Sequence, residues 1–341
     1  MTKYKHIICC GCSFTRQQGR LNLDVTENDF LNDDAQFYRW VHYLSKRVGG
    51  ESIVYNLGNP TNDNSVIRKS IIYKIKKLID EGVNTDDIFV FTQWSSWQRN
   101  SFFISEEMAK EYNSLINDKE GYTHISDFIT EKKYNGQFGY YLLTGGFMVD
   151  HVSYNVKKLV DKYGEFFYSK EESLIRFFEN ILFLQSFLKS KKINYLCFNL
   201  QNNFSHEYTS TDGFPLLVND ENNNYKSIYV DKYITKTDNK IQYENPYIQH
   251  LYEMVDFDNF WFFKNQDTSH GGLMEWSIKR YDIDSDTKNE GLWQEWSYMS
   301  KEELKKQLSN TYGENGKWEL GHPSSKMNEI FCDEVLLDYV K

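Results

Sequence analysis

The feature that most constrains this chain is a repeated switch between two periodicities. Short runs that are apolar at nearly every position alternate with longer segments that are apolar on one face only. Residues 4–10 end in Ile7-Ile8-Cys9-Cys10, residues 88–94 read Ile-Phe-Val-Phe-Thr-Gln-Trp, and residues 193–200 read Ile-Asn-Tyr-Leu-Cys-Phe-Asn-Leu. A strand with one wetted face alternates polar and apolar residues, whereas a strand covered on both faces reads as a continuous apolar run. Residues 52–57 (Ser-Ile-Val-Tyr-Asn-Leu) belong with them. Between these runs the spacing turns helical. Phe37, Trp40, Val41 and Leu44 share one face of residues 35–47, and Ile67, Ile71, Ile75 and Leu78 share one stripe of residues 64–80. Ser169 with Glu172 reads as a capping box opening a long helix, which carries Leu174, Phe177, Ile181, Leu184 and Leu188 on one face. Residues 324–340 read as a last helix behind Pro323, with Met327, Phe331 and Val335 inward. Strands alternating with helices predict an α/β fold, a three-layer α/β/α sandwich around a parallel sheet covered on both faces. In such sheets ligands bind beyond the carboxyl ends of the strands.

The 341 residues fit two domains or one elaborated one. With no internal repeat and no Pro- or Ser-rich linker, the expectation is one domain over 1–341, with insertions at about 100–165 and 203–310. Hydrophobic residues at 40% and aromatics at 17% exclude a disordered chain. The net charge of −10 repels phosphate backbones, so nucleic acid is not an expected partner. No apolar run approaches the ~18 residues that cross a bilayer, and the mean hydropathy is −0.66. The apolar stretch near the N-terminus is too short for a signal peptide. A cytoplasmic protein with no membrane partner is expected, or a virion component if the source is a phage. Five cysteines, an odd number with three packed into Cys9, Cys10 and Cys12, do not read as a disulfide framework.

Two short segments can carry chemistry. Gly11-Cys12-Ser13-Phe14-Thr15 follows the first strand, where glycine permits a tight turn and a serine hydroxyl would sit at an element's start. A serine becomes a nucleophile only beside a base. Near the other end lies Glu319-Leu-Gly-His322-Pro323-Ser324. An imidazole just before a helix can be that base, and a carboxylate three residues earlier can hold its tautomer.

On these residues the chain resembles the SGNH (GDSL-like) hydrolases, over roughly residues 3–99, 170–200 and 318–340. Gly11-Cys12-Ser13 is similar to the family's Gly-Asp-Ser block, and Gly-Cys-Ser-Phe-Thr looks like the variant of a divergent branch with many phage and bacterial members. Asn56-Leu-Gly-Asn-Pro-Thr61-Asn-Asp-Asn64 resembles the second block, with Thr61 at the glycine position. The third block, Gly-x-Asn-Asp, reads Thr92-Gln93-Trp94-Ser95 here and lacks the oxyanion-hole asparagine. Glu319-x-x-His322 matches Asp-x-x-His with Glu for Asp. The resemblance implies a serine esterase or deacylase acting on a small-molecule or carbohydrate ester. Ser13 would be the nucleophile, His322 the base and Glu319 its orienting acid. The N–H groups of Ser13 and Thr61 would form the oxyanion hole, with an amide from Asn64 or Gln93 as substitute donor. It implies no cofactor and no metal. The aromatic-rich insertions would shape the acyl or sugar pocket.

Plainer readings of the same residues stand beside this one. Ser13 can cap a helix, His322 can be a surface histidine, Glu319 an exposed loop carboxylate, and Thr61 and Asn64 turn formers. Cys12 is a rival nucleophile. Cys9 and Cys10 point to opposite faces of a strand, which argues against a shared metal. The missing third-block asparagine leaves a non-catalytic structural or binding protein, for example a phage component, as the alternative. Acyl or sugar transfer in the same pocket is a third.

Overall fold

The computed structural model describes residues 2–15, 39–58, 62–97, 99–104, 140–144, 162, 166–204, 217–219, 225–227, 241–264, 270–283, 323 and 325–341. Among them the strands are β1 (His6–Cys10), β2 (Ile53–Asn56), β3 (Ile88–Trp94), β4 (Asn100–Ile104), β5 (Tyr140–Thr144), β6 (Asn194–Asn199), β7 (Leu217–Asn219), β8 (Tyr225–Ser227) and β9 (Phe260–Trp261). The α-helices are α1 (Trp40–Val48), α2 (Asn64–Asp80), α3 (Lys170–Ser190), α4 (Pro246–Met254), α5 (Leu273–Ile283) and α6 (Ser325–Phe331).

Five strands form one parallel sheet in the order β2-β1-β3-β6-β9. The remaining strands form two separate antiparallel pairs, β4 with β5 and β7 with β8. Counting only the sheet strands, the chain runs 2-1-3-4-5, the doubly wound order whose switch point lies between β1 and β3. The apolar runs of the sequence are these strands, and every residue of β3 is buried. Successive residues point to opposite faces, and the core divides accordingly. Ile7, Cys9, Phe91 and Phe198 join Trp40, Val41 and Leu44 of α1, Leu273 and Met274 of α5, and Met327 and Phe331 of α6. Ile8, Cys10, Val90, Trp94 and Cys197 join Ile67, Ile71 and Ile75 of α2, Phe177, Phe178 and Ile181 of α3, and Ile248 and Leu251 of α4. Cys9 and Cys10 thus lie in different clusters, as their alternation predicts.

Side-chain caps set the helix starts. Asp63 Oδ1 accepts from the Val66 N–H at 2.8 Å to open α2. Ser169 Oγ accepts from the Glu172 N–H at 2.9 Å to open α3, as the capping-box spacing predicts. Asn245 caps α4, and Pro246 occupies its first turn, where a missing N–H costs nothing. The last helix continues past α6 as a wider π turn over Cys332–Leu336 and a 3₁₀ turn over Leu337–Tyr339.

Residues 203–310, expected as an insertion, hold parts of the core. Within them, residues 241–264 and 270–283 supply α4, β9 and α5, and these pack into both core clusters. β9 has two residues, too few to show a period. Its place in the sheet comes from Phe260 and Trp261 pairing with Cys197 and Phe198. Phe37, in the expected first helix, lies outside the described residues. No helix among the described residues is long and apolar enough to cross a membrane.

His270, just after β9, gives the fold a pH dependence. Its ring is surrounded by Phe204, Phe257 and Phe262 and meets the Tyr252 hydroxyl at 3.3 Å. Burial, with the nearby Lys264 charge, lowers its pKa to about 4. The unfolded chain therefore binds more protons than the folded one between pH 6.5 and 4. Stability is full above pH 6.5 and falls through this window by at most about 3 kcal/mol. Urea titrations at pH 7 and pH 4.5 of wild type and His270→Phe check this: the variant is expected to lose part of the difference.

Candidate functional site

The switch-point rule directs attention to the carboxyl ends of β1 and β3. Gly11 to Thr15 follow β1 directly, and the Thr15 N–H donates to the Cys12 carbonyl at 3.0 Å, closing a turn that contains Ser13. Gly11 is required there by space. A Cβ on it would lie within contact of Thr15 Oγ1, 2.7 Å from Gln93 Oε1 and 2.9 Å from Gln93 Cβ. Three amide side chains from neighbouring segments hold the turn. Asn56 Nδ2 donates to the Thr15 carbonyl at 3.2 Å and Asn62 Nδ2 to the Gly11 carbonyl at 3.1 Å. Gln93 Oε1 accepts from Thr15 Oγ1. Ser13 is 8% exposed, so its surroundings are largely desolvated. Cys12 is fully buried beside Phe14 and Trp40, which takes the rival thiol out of the solvent's reach.

The β3 end is fixed as firmly. Asn64 Oδ1 accepts from the Ser95 N–H at 2.8 Å, while its Nδ2 donates to the Ser95 carbonyl at 3.2 Å and the Ser96 carbonyl at 3.4 Å. Asn203 Nδ2 adds a second donor to the Ser95 carbonyl at 3.0 Å. Both amide hydrogens of Asn64 are thus engaged. In the described geometry this residue holds the turn after β3. Asn64→Ala leaves the buried Ser95 N–H without its acceptor, and a loss of about 1–3 kcal/mol is expected. A lowered urea midpoint with an unchanged m-value is the measurement.

On the far side of β3, Glu275 bridges two backbone donors, the Asn202 N–H at 3.0 Å and the Gly272 N–H at 2.8 Å. This ties the end of β6 to the start of α5.

Buried polar atoms with no partner among the described residues gather at this same edge. They include Asn62 Oδ1, Gln93 Nε2, Ser95 Oγ and both amide atoms of Asn199. Elsewhere in a folded core such groups are rare, and each calls for a water or ligand. Thr92 and Trp94 face the Cys197 thiol, which burial pushes up to about 12. It is therefore a neutral thiol in ordinary conditions. Among the described residues no group of three or more His, Cys, Asp or Glu side chains is arranged to hold a metal ion.

The base and acid expected from the sequence, His322 and Glu319, lie outside the described residues, as does Thr61. Pro323, which follows His322 in the chain, is described and buried. Arg39 Nη1 donates to its carbonyl at 3.2 Å and Asn328 Nδ2 at 2.9 Å, and Asn328 Oδ1 accepts from the Trp40 N–H at 3.1 Å. These bonds tie the start of the last helix to the start of α1. Residues 49–52 lead from α1 straight into the amino end of β2, so α1 runs back along the sheet and begins toward the carboxyl ends of the strands. Pro323 is therefore held on the edge that carries the Ser13 turn, and Cys12, Phe14, Trp40 and Met327 share one core cluster there.

Sequence reasoning quoted the segment holding Asn56 and Asn62 without giving either a role, and it missed Asn203 and Glu275. Asn-rich segments such as those around the ends of β2 and β6 read equally as turn chemistry, and Glu275 carries no local signal. No family model matches the chain, and neither the curated proteins nor the solved structures hold a significant match to it.

Proposed function

We propose that the chain is a three-layer α/β/α hydrolase of SGNH type that cleaves an ester through Ser13. One observation carries this reading: Ser13 sits in a braced, largely buried turn at the switch point, on the edge where the residue following His322 is anchored. In the proposed reaction the His322 imidazole takes the Ser13 proton as Oγ attacks the ester carbonyl. The N–H groups of Ser13 and Thr61 receive the oxyanion. His322 then returns the proton to the leaving alcohol, and water attacks the acyl-enzyme by the same route. Glu319 holds the imidazole tautomer. With the Asn64 amide engaged at Ser95, Gln93 Nε2 is the amide left to supply a further donor. The substrate class is an acetyl or acyl ester on a carbohydrate or small molecule, handled in the cytoplasm or within a virion.

A fluorophosphonate probe tests the proposal, since it labels only an activated serine. Labelling of the wild type that disappears in Ser13→Ala supports it. Absence of wild-type labelling, or equal labelling of both proteins, overturns it.

The engaged Asn64 amide favours a second reading, a non-catalytic SGNH-like scaffold that binds a ligand at the same edge. Saturable binding without turnover of any p-nitrophenyl ester is its signature.

A further inference from the structure

A cavity lies between the start of α2, the turn after β3 and the first half of α3, and Ser13 is not among its lining residues. Its volume is about 210 Å³. A water occupies about 30 Å³ of liquid, so the space accepts a small polar molecule. Its charge runs against that of the chain. In a protein of net charge −10, three arginines from three different segments line it: Arg68 of α2, Arg99 of the turn after β3 and Arg176 of α3. Two have visible supports. Arg176 Nε donates to Glu172 at 2.6 Å, and the Arg68 guanidinium stacks 4.7 Å over the Phe183 ring. Arg99 differs, because its Nη1 is buried with no partner among the described residues. A buried donor left unpaired costs about 1–3 kcal/mol, more when it is charged, so this atom calls for an acceptor.

The nearby carboxylate does not supply one. Asp63 spends Oδ1 on the Val66 N–H and Oδ2 on the Ser101 hydroxyl, both at 2.8 Å. Burial also raises its pKa from the usual carboxylate value. Glu179 is the other acidic residue in the lining, so two carboxylates stand against three guanidinium groups.

We propose that this cavity binds the oxyanion of a small ligand, a phosphate or carboxylate group, with Arg99 as its principal donor. A guanidinium presents parallel N–H groups that match either anion two at a time. The site is independent of the hydrolase reading, since Arg68, Arg99 and Arg176 have no part in that reaction; Asn64, a substitute oxyanion donor in the sequence reading, lines the cavity as well.

Isothermal titration of the full-length protein with inorganic phosphate, and separately with acetate, is the test. Saturable binding of at least one anion is expected, weakened about tenfold or more in Arg99→Gln and unchanged in Arg47→Gln, a control arginine paired elsewhere with Glu329 and Asp333. Preference for phosphate or for acetate tells which chemical source the ligand has. Arg68→Gln gives a second variant from another element, in case the first folds poorly, and thermal unfolding without anion reports that. No binding of either anion to the wild type, or the same affinity in wild type and both cavity variants, overturns the proposal.

Discussion

Replacing Gly272 by alanine is expected to destabilise the fold by about 3 kcal/mol or more, at the upper end of overpacking effects. The reason is backbone against backbone. A Cβ there would meet the Asn199 carbonyl oxygen, lie 2.6 Å from the Gln201 nitrogen and lie 2.7 Å from the Leu200 carbonyl carbon. None of these atoms can swing away as the end of a side chain can. They belong to the last residue of β6 and the two residues after it, and the same contact is locked by the Met274 N–H donating to the Leu200 carbonyl at 2.9 Å. To admit a methyl group, α5 must back away from the sheet, which breaks that bond and loosens the Glu275 bridge as well. Gly50→Ala is the matched control. Gly50 has φ +84 and nothing within 4 Å of a Cβ, so only the left-handed backbone penalty of about 1–2 kcal/mol applies. Chemical denaturation of both variants checks the pair. Equal losses would show that the close approach at Gly272 is not what constrains it.

The largest effect expected on activity is from the two ends of the chain. Under the proposed mechanism, Ser13→Ala and His322→Ala each lower kcat on a cleavable p-nitrophenyl ester by roughly 10³-fold or more. The double variant is expected to lose little beyond either single one, because the two groups act as a unit. That non-additivity separates a catalytic pair from two structural residues, whose effects on distant sites would add. Gln93→Leu is expected to fall between, about 10²-fold down if its amide donates to the oxyanion. Gln93 also receives Thr15 Oγ1, so its variant is compared with Thr15→Val, which removes the brace alone. The outcome against the mechanism is activity retained in His322→Ala at the level of the wild type.

The parts legible from sequence were those whose environment is nearly the same along their whole length. β3 is buried at all seven positions, and five of its seven residues are apolar, as two covered faces demand. α2 begins and ends where its stripe of isoleucines and its Asp63 cap put it. β9 was not legible, because two residues carry no period and its pairing with β6 is a tertiary fact. α5 was missed for a related reason. Its start depends on Gly272 fitting against the end of β6, a contact that local sequence cannot express. The candidate site divides the same way. Gly11 and Ser13 were marked by their place after the first strand, whereas the clamp of Asn64 on Ser95 brings together residues 31 apart in the chain. The amide of an asparagine looks the same in a sequence whether it faces a substrate or a neighbouring backbone.

By itself, then, the sequence determined that apolar strands would stack in parallel between amphipathic helices, because burial on both faces dictates residue type at every position. Only the tertiary structure decided which polar side chains at the strand ends are consumed by the backbone and which remain buried and unpaired. Hydrogen bonds between distant segments depend on distance and angle, and residue identity alone specifies neither.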